Sequence, residues 1–495
     1  MLGTVGGTAG EEFGETTQIS NTIELRPGQD AWRQKNSRWT CGATVGCLPI
    51  MADSGCEGRQ SRMRQDCMIL ADGPSALVEL CGISLLERLL RTLQRCGITR
   101  ATILSSTPEA ILKSLAQASW SRARIDVRVC HQTDESIVEQ IVALWPKVDP
   151  FLLVVHGDAV FDIRLVRLLL AQKSAAALVD SSAPDQLEPL VASVENTNAG
   201  KWSGAALLQH DWASGQRGCL DKAVRAGLEV RSLAALDVAE QPFYDSTLRR
   251  NLRPFWFPSP AASHRGLAEH VLLDSVQKGA LDLPAVIHAP LERFLISHLC
   301  KTWITPHQIT IAWITLAFIT TALFATGYLI SGIVLAFIIG ILDGLDGKQA
   351  RLKVETSSIG TLEHRFDSLF EVGWPSALAY HFYSSGQLAK AFVYLMILVA
   401  AQALDGIAKG GIYRAFAKLK TPPNLLDRVV RLFGGRRNVY IWILLFAVIL
   451  GAPAQALVVM AWWQAATAII DLPHAGWLLY SASGGENSLQ VSERR

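Results

Sequence analysis

DGLDGKQARLKVETSSIGTLEHRFDSLFE, Asp343 to Glu371, places carboxylates directly after an apolar run. Residues 302 to 342 before it contain no Asp, Glu, Lys or Arg. Ionisable groups at the end of a membrane-length apolar segment mark a functional site by default. On a helix, Asp343 and Asp346 face one way, and Gly347 beside them permits close backbone approach. Glu363, Asp367 and Glu371 recur every four residues, so a second acidic stripe runs along a following helix. Bare carboxylates at this density repel one another. Hard divalent cations, Mg2+ or Mn2+, are their natural neutralisers. Arg351, Lys353 and Arg365 provide some surface pairing, as a charged linker would, but a plain linker has no need of the spacing.

The same residues resemble the CDP-alcohol phosphatidyltransferase family. That family carries two aspartates three apart, a Gly, an Ala-Arg pair, a Gly after eight intervening residues, and two further aspartates four apart. Asp343, Asp346, Gly347, Ala350, Arg351 and Gly360 stand at the family's positions. The last two aspartates do not, because counting from Gly360 reaches His364 and Ser368, while Glu363 and Asp367 keep the spacing one residue early. The resemblance implies a metal site of Asp343, Asp346, Glu363 and Asp367, with His364 as the alternative third ligand. It gives Asp367 the role of catalytic base. It also implies substrate contacts at Gly347, Ala350, Arg351 and Gly360, and at Thr305 and Pro306, which open the first span. Pro306 would equally serve simply to start a helix.

Outward from this stretch, the chain is apolar on both sides. The run from Ile309 to Leu342 is too long for one span of about 20 residues, and Gly327 to Gly332 supplies a break. Further helices are expected from Leu362 to Tyr383 and from Leu388 to Ile407. The run Asn438 to Ile470 gives two more, divided near Gly451-Ala452-Pro453. Six spans result. Lys409 to Arg437 holds eight basic residues against one acidic, Asp427, which predicts a cytoplasmic segment. An even number of spans then places the acidic cluster and both termini on the cytoplasmic side of a multi-pass protein, as in a bacterial inner membrane. Lys409, Arg414, Arg436 and Arg437 are candidate cations for a phosphate-bearing acceptor, or anchors to lipid head groups. Asp405, four residues before Lys409, is expected to pair with it.

Towards the N-terminus the composition changes. From Asp66 short apolar runs alternate with helical periodicity, which predicts a three-layer α/β domain. Strands are expected at Cys67 to Ala71, Ala101 to Leu104, Ile125 to Val129 and Phe151 to Val155. Helices are expected at Leu85 to Arg95, Pro108 to Ala118 and Ser136 to Leu144. GISLLERLLRTLQRCGITRATIL, Gly82 to Leu104, resembles the nucleotidyltransferases that activate sugars and phospho-alcohols, as do Gly157-Asp158 and Gly204. Binding a nucleoside triphosphate needs cations after the first strand. Here the loop is Ala71-Asp72-Gly73-Pro74-Ser75, and no Lys or Arg occurs between Gln65 and Arg88. The domain is therefore expected to be inactive.

The expected organisation is a disordered tail over 1–65, the α/β domain over 66–255, a linker with a juxtamembrane amphipathic helix broken at Pro284 and Pro290 over 256–301, the six-helix transmembrane domain over 302–481, and a disordered tail over 482–495. A net charge of +2 and the lack of an Arg-rich aromatic patch argue against nucleic acid. Nine cysteines without CxxC spacing suit reduced thiols. The function implied is transfer of a phospho-alcohol group from a CDP-alcohol, such as CDP-diacylglycerol, to an acceptor alcohol with release of CMP. A bifunctional cytidylyltransferase and CDP-polyol phosphate transferase is one alternative, and a non-catalytic membrane scaffold or transporter is another. The lipid bilayer and a second copy of the chain are the candidate partners.

Overall fold

The structure is a computed structural model. It describes residues 22–25 and 65–492, apart from 119–124, 134–135, 147–148, 246, 280–282, 356–359 and 420–431, and without the side chains of 22–25, 360–364, 413–419 and 481–492. The expected tail contributes one strand, β1 (Thr22–Leu25), which pairs antiparallel with a sheet edge, so this part of 1–65 is not the disordered segment expected.

The α/β domain is a mixed sheet of β2 (Asp66–Leu70), β3 (Arg100–Ser105), β4 (Asp126–His131), β5 (Phe151–His156), β6 (Ala176–Asp180), β7 (Gly200–Gln209) and β8 (Ala234–Asp237), with β1 at one edge. The order is β1-β4-β3-β2-β5-β7-β6-β8, and a short strand, Asn196–Thr197, folds back on β7. The four strands β4, β3, β2 and β5 run parallel. Alternation along β2 shows why both faces are covered. Cys67 and Ile69 point to one core, Met68 and Leu70 to the other, and all are buried. The helix α1 (Leu85–Arg95) covers the first face, while α2 (Pro108–Gln117), α3 (Ile137–Ala143), α4 (Ile163–Leu170) and α5 (Leu220–Glu229) complete the layers.

That first core does not stop at the domain edge. Ile296, Cys300, Ile309, Leu345 and Leu352 belong to the same buried cluster as the sheet residues. They come from, or directly follow, the helices α7 (Leu283–Leu299), α8 (Pro306–Thr326) and α9 (Leu329–Leu352), and α6 (Arg265–Ser275) adds Ala268 and Leu272. α7 differs from the expected broken pair of stretches, because it runs through Pro290 without ending. Pro284 lies in its first turn, where the missing N–H has no helical partner to lose.

Among the described residues, four helices are long and apolar enough to cross a membrane: α8, α9, α11 (Ala391–Leu419) over Ala391–Ile412, and α13 (Gln455–Ser492) over Gln455–Tyr480. Between them lie α10 (Gly360–Ser384), which carries the second acidic stripe, and α12 (Arg437–Ile449), with only 13 residues. Gly327 and Gly451 provide the two breaks, at φ of 85° and 72°. α13 continues to Ser492 where a disordered tail was expected. The bundle has its own core, in which Trp313, Phe324, Phe370, Trp374 and Phe382 interlock.

Candidate active site

α9 ends in the DGLDGKQAR sequence, and its last turn is held by the α/β domain. α1 buries Leu85, Leu86, Leu89, Leu90 and Leu93 and turns its arginines towards α9. Arg88 Nη1 donates to the Leu352 carbonyl at 2.5 Å and Nη2 to Leu80 at 3.2 Å. Arg91 Nη1 donates to Lys353 O at 2.7 Å, and Arg95 Nη2 to Glu355 O at 2.8 Å. Cations thus meet the final carbonyls of a helix, where orphan acceptors and the negative end of the macrodipole both favour them. The first arginines after the loop at Ala71–Ser75 are therefore committed to holding α9, not to a nucleotide. On its other side α9 is tied to the start of α8 by Gln349 Nε2 to Ile304 O at 2.6 Å and Lys353 Nζ to Thr302 O at 3.1 Å.

The two aspartates of α9 have different surroundings. Asp346 is 2% exposed and turned into the bundle. Its Oδ2 accepts from Thr310 Oγ1 at 2.8 Å and from Trp313 Nε1 at 3.0 Å, and its Oδ1 accepts from Gly347 N. Asp343 accepts from Arg437 Nη2 of α12 at 3.1 Å. Arg437 Nη1 lies 2.7 Å from Asp367 Oδ1 of α10, an ion pair outside hydrogen-bond angles, and the guanidinium sits 5.4 Å over the Trp374 ring. One buried arginine therefore bridges carboxylates of two helices, Asp343 and Asp367.

This arrangement bears on the expected Mg2+ or Mn2+. Asp346 spends its oxygens on α8 and its own turn, while Asp343 and Asp367 converge on a guanidinium. Among the described residues no three His, Cys, Asp or Glu come together as a metal site. The described residues do not fit such an ion. The side chains of Gly360's neighbours Glu363 and His364, in the first turn of α10, lie outside the described residues.

A cleft of 610 Å³ opens beside α9. Gly340, Asp343, Gly344, Gly347 and Arg351 line it from α9, and His288 and Arg293 from α7. The glycines let α7 approach, since a Cβ on Gly344 would stand 2.8 Å from the Glu292 carboxylate. Glu292 in turn pairs with Lys348 at 2.5 Å. The α/β domain closes the cleft with Arg249 and Arg250, and the segment after α6 with Lys278, none of which sequence reasoning singled out. Ala350, Thr305 and Pro306 are not among its lining. Thr305 instead caps α8, its Oγ1 accepting from Gln308 N at 3.4 Å while Gln308 Oε1 accepts from Thr305 N at 2.9 Å. Pro306 occupies the first turn.

A second polar cluster lies deeper in the bundle. Asp405 accepts from Lys409 Nζ at 2.6 Å and from Gln464 Nε2 at 2.9 Å, and Tyr440 donates to Gln464. Asp471 is buried beside Asp405. Asp471 was missed although it directly ends the uncharged run read as closing at Ile470. Lys409, Arg436 and Arg437 lie within electrostatic reach of Glu371. Arg414 falls where side chains are outside the described residues.

In the α/β domain, β5 ends in His156-Gly157-Asp158. His156 Nε2 is 3.1 Å from Asp221, and Gly204, at φ 85°, makes room for its ring, because a Cβ there would lie 2.9 Å from it. Burial pushes the His156 pKa down, but the hydrogen bond to Asp221 and the charges of Asp221, Asp158 and Asp72 more than offset this, so it is raised. The loop at Asp72 is folded on itself, with Ser75 Oγ donating to Asp72 O at 2.9 Å, and Ser259 Oγ donates to Ser75 O at 3.2 Å.

No protein-family model matches the chain. No curated protein matches it either. Among solved structures, the α/β part is similar to the inositol-1-phosphate CTP transferase from T. maritima, at 12% identity and a TM-score of 0.31, over 42% of this chain and 96% of that one. HddC from Yersinia pseudotuberculosis is matched at 12% identity and a TM-score of 0.31, over 42% of this chain and 99% of that one.

Proposed function

We propose that the chain transfers a phospho-alcohol group from a CDP-alcohol to an acceptor hydroxyl, with release of CMP, at the cleft beside α9. The observation that supports this most is the cleft itself. The face of α9 that carries Asp343, Gly344, Gly347 and Arg351 opens onto a space large enough for a nucleotide, at the polar end of an otherwise apolar helix. Gly347 lets a ligand approach the backbone, and Arg351 offers a guanidinium to phosphate.

In the reaction, the acceptor oxygen bonds to the phosphorus that carries the alcohol. The bond from that phosphorus to the CMP oxygen breaks, and the electron pair leaves on CMP. The hydroxyl proton passes to a carboxylate, for which Asp367, outside the cleft lining but joined through Arg437 to Asp343 of the wall, is the candidate. The lining cations lower the repulsion between the diphosphate and the incoming oxygen. The α/β domain acts in this reading as a clamp on α9, not as a second enzyme.

The test is turnover by the full chain in lipid nanodiscs supplied with CDP-diacylglycerol and a panel of acceptors: glycerol phosphate, inositol, inositol phosphate and serine. CMP release that depends on an acceptor and disappears in Asp343→Ala is the expected result. Full activity in Asp343→Ala, or no CMP from any pairing by folded protein, overturns the proposal.

A further inference from the structure

Six cationic side chains line the cleft: Arg249, Arg250, Lys278, Arg293, Lys348 and Arg351. Three carboxylates share the wall, Asp343, Asp346 and Glu292, and each already has donors of its own: Arg437 for Asp343, Thr310 and Trp313 for Asp346, Lys348 for Glu292. Outside the lining, Asp274 holds both Arg250 and Arg293, at 2.7 Å and 3.0 Å. The wall therefore carries an excess of positive charge over the carboxylates it contains. Such an excess in a concave, half-enclosed space favours a compact anion with more than one charge.

The excess comes from both domains. Lys348 and Arg351 are on α9 and Arg293 is on α7, while Arg249 and Arg250 belong to a hairpin of the α/β domain and Lys278 follows α6. These last two segments are stitched together. Gly279 N donates to Leu248 O at 2.7 Å, and a Cβ on Gly279 would stand 2.4 Å from Arg249 O, so only glycine allows the approach. Arg249 is held at φ 55°, a left-handed conformation that is strained for a non-glycine residue. The fold maintains it beside the cleft nonetheless. From the opposite side, Arg351 Nε donates to Val276 O at 3.1 Å, joining the end of α6 to α9.

We propose that the α/β domain and the segment after α6 that is stitched to it supply half of a diphosphate-binding site, in which Arg249 and Lys278 face Gly347 and Arg351 across the cleft and together hold the pyrophosphate of a nucleoside diphosphate ester. This rests on, and deepens, the reading of the cleft as the donor site. It gives the domain a binding role there that needs no catalysis of its own.

The experiment uses the full chain in nanodiscs and two separate readouts. Binding of CDP is measured by titration calorimetry, and CMP release is measured from CDP-diacylglycerol. Arg249→Gln with Lys278→Gln is expected to weaken CDP binding at least tenfold and to raise the donor KM with little change in kcat. Arg249→Lys with Lys278→Arg, which keeps the charges, is expected to restore most of the binding and shows that loss is not misfolding. CDP binding unchanged within twofold in the Gln pair overturns the proposal, as does failure of the folded wild type to bind CDP. CDP binding that depends on both residues, without CMP release by wild type, keeps the diphosphate site and instead overturns the transfer reaction.

Discussion

Replacing Arg88 by Met tests whether the α/β domain holds the end of α9. Arg88 is 5% exposed and gives two hydrogen bonds to main-chain carbonyls, Leu352 O across the domain boundary and Leu80 O within its own. A hydrogen bond from a charged donor contributes about 1.5–3 kcal/mol. Against this, burial lowers the Arg88 pKa from 12.5 to about 10, which corresponds to about 3 kcal/mol against keeping it charged there. Methionine fills similar space without that penalty but leaves two buried carbonyls without their donor. Two such bonds against that penalty leave a net loss of about 0–3 kcal/mol, centred near a tenfold change in the equilibrium for opening the last turn of α9. Amide hydrogen exchange of the full chain in nanodiscs reads this directly. Peptides covering 345–355 should exchange about tenfold faster in Arg88→Met, while those covering Arg100 to Ser105 in the sheet centre stay protected. Unchanged exchange over 345–355 refutes the clamp, and an equal rise in the sheet shows global destabilisation instead of local release.

Gly344→Ala should be more disruptive than Gly347→Ala. The first places a methyl 2.8 Å from the Glu292 carboxylate, which is fixed by Lys348, whereas the second meets only the end of the Arg351 side chain at 3.2 Å. Overpacking of this kind costs about 1–3 kcal/mol, and thermal midpoints in the same nanodiscs rank the two. The raised His156 pKa has a definite sign. Its contribution to stability is fully present below the unfolded pKa of histidine and is lost as pH rises through the higher folded value. The midpoint advantage of wild type over Asp221→Asn should therefore shrink as pH rises above the ordinary histidine range, and a difference independent of pH refutes the assignment. Cys81 of the α/β domain and Cys300 beyond α7 are buried in the same apolar cluster, with their thiols close enough to influence one another. Copper phenanthroline, an oxidant that takes up the two electrons and two protons, should join them in a disulfide seen by peptide mass mapping. Failure to form it under conditions that oxidise the exposed Cys219 argues against this docking of the domains.

The features that were legible in the sequence are those encoded within one element. Cys67 to Leu70 alternates apolar residues on two faces because a central strand is covered twice, and the run before Asp343 is uncharged because lipid-length helices must be. Gly327 and Gly451 mark breaks through a left-handed backbone conformation that only glycine adopts cheaply. The fate of Asp346 was not legible. A spacing of three sets its angle relative to Asp343 but not the rotation of the helix, and that rotation is set by Thr310 and Trp313 on α8, which take up its carboxylate. Nor could spacing bring Arg437 to Asp343 and Asp367, because the three lie on three helices and meet only when the bundle closes. The arginines of α1 show the same limit more sharply. Arg88, Arg91 and Arg95 read as an ordinary charged helix face, but their partners are the carbonyls of Leu352, Lys353 and Glu355. Every residue has a carbonyl, so no side-chain pattern could point to those three. The α/β domain is expected from sequence to be inactive for lack of cations near its loop. The structure puts those cations on the helix that carries the acidic motif, and that position gives the domain a physical reason to be there.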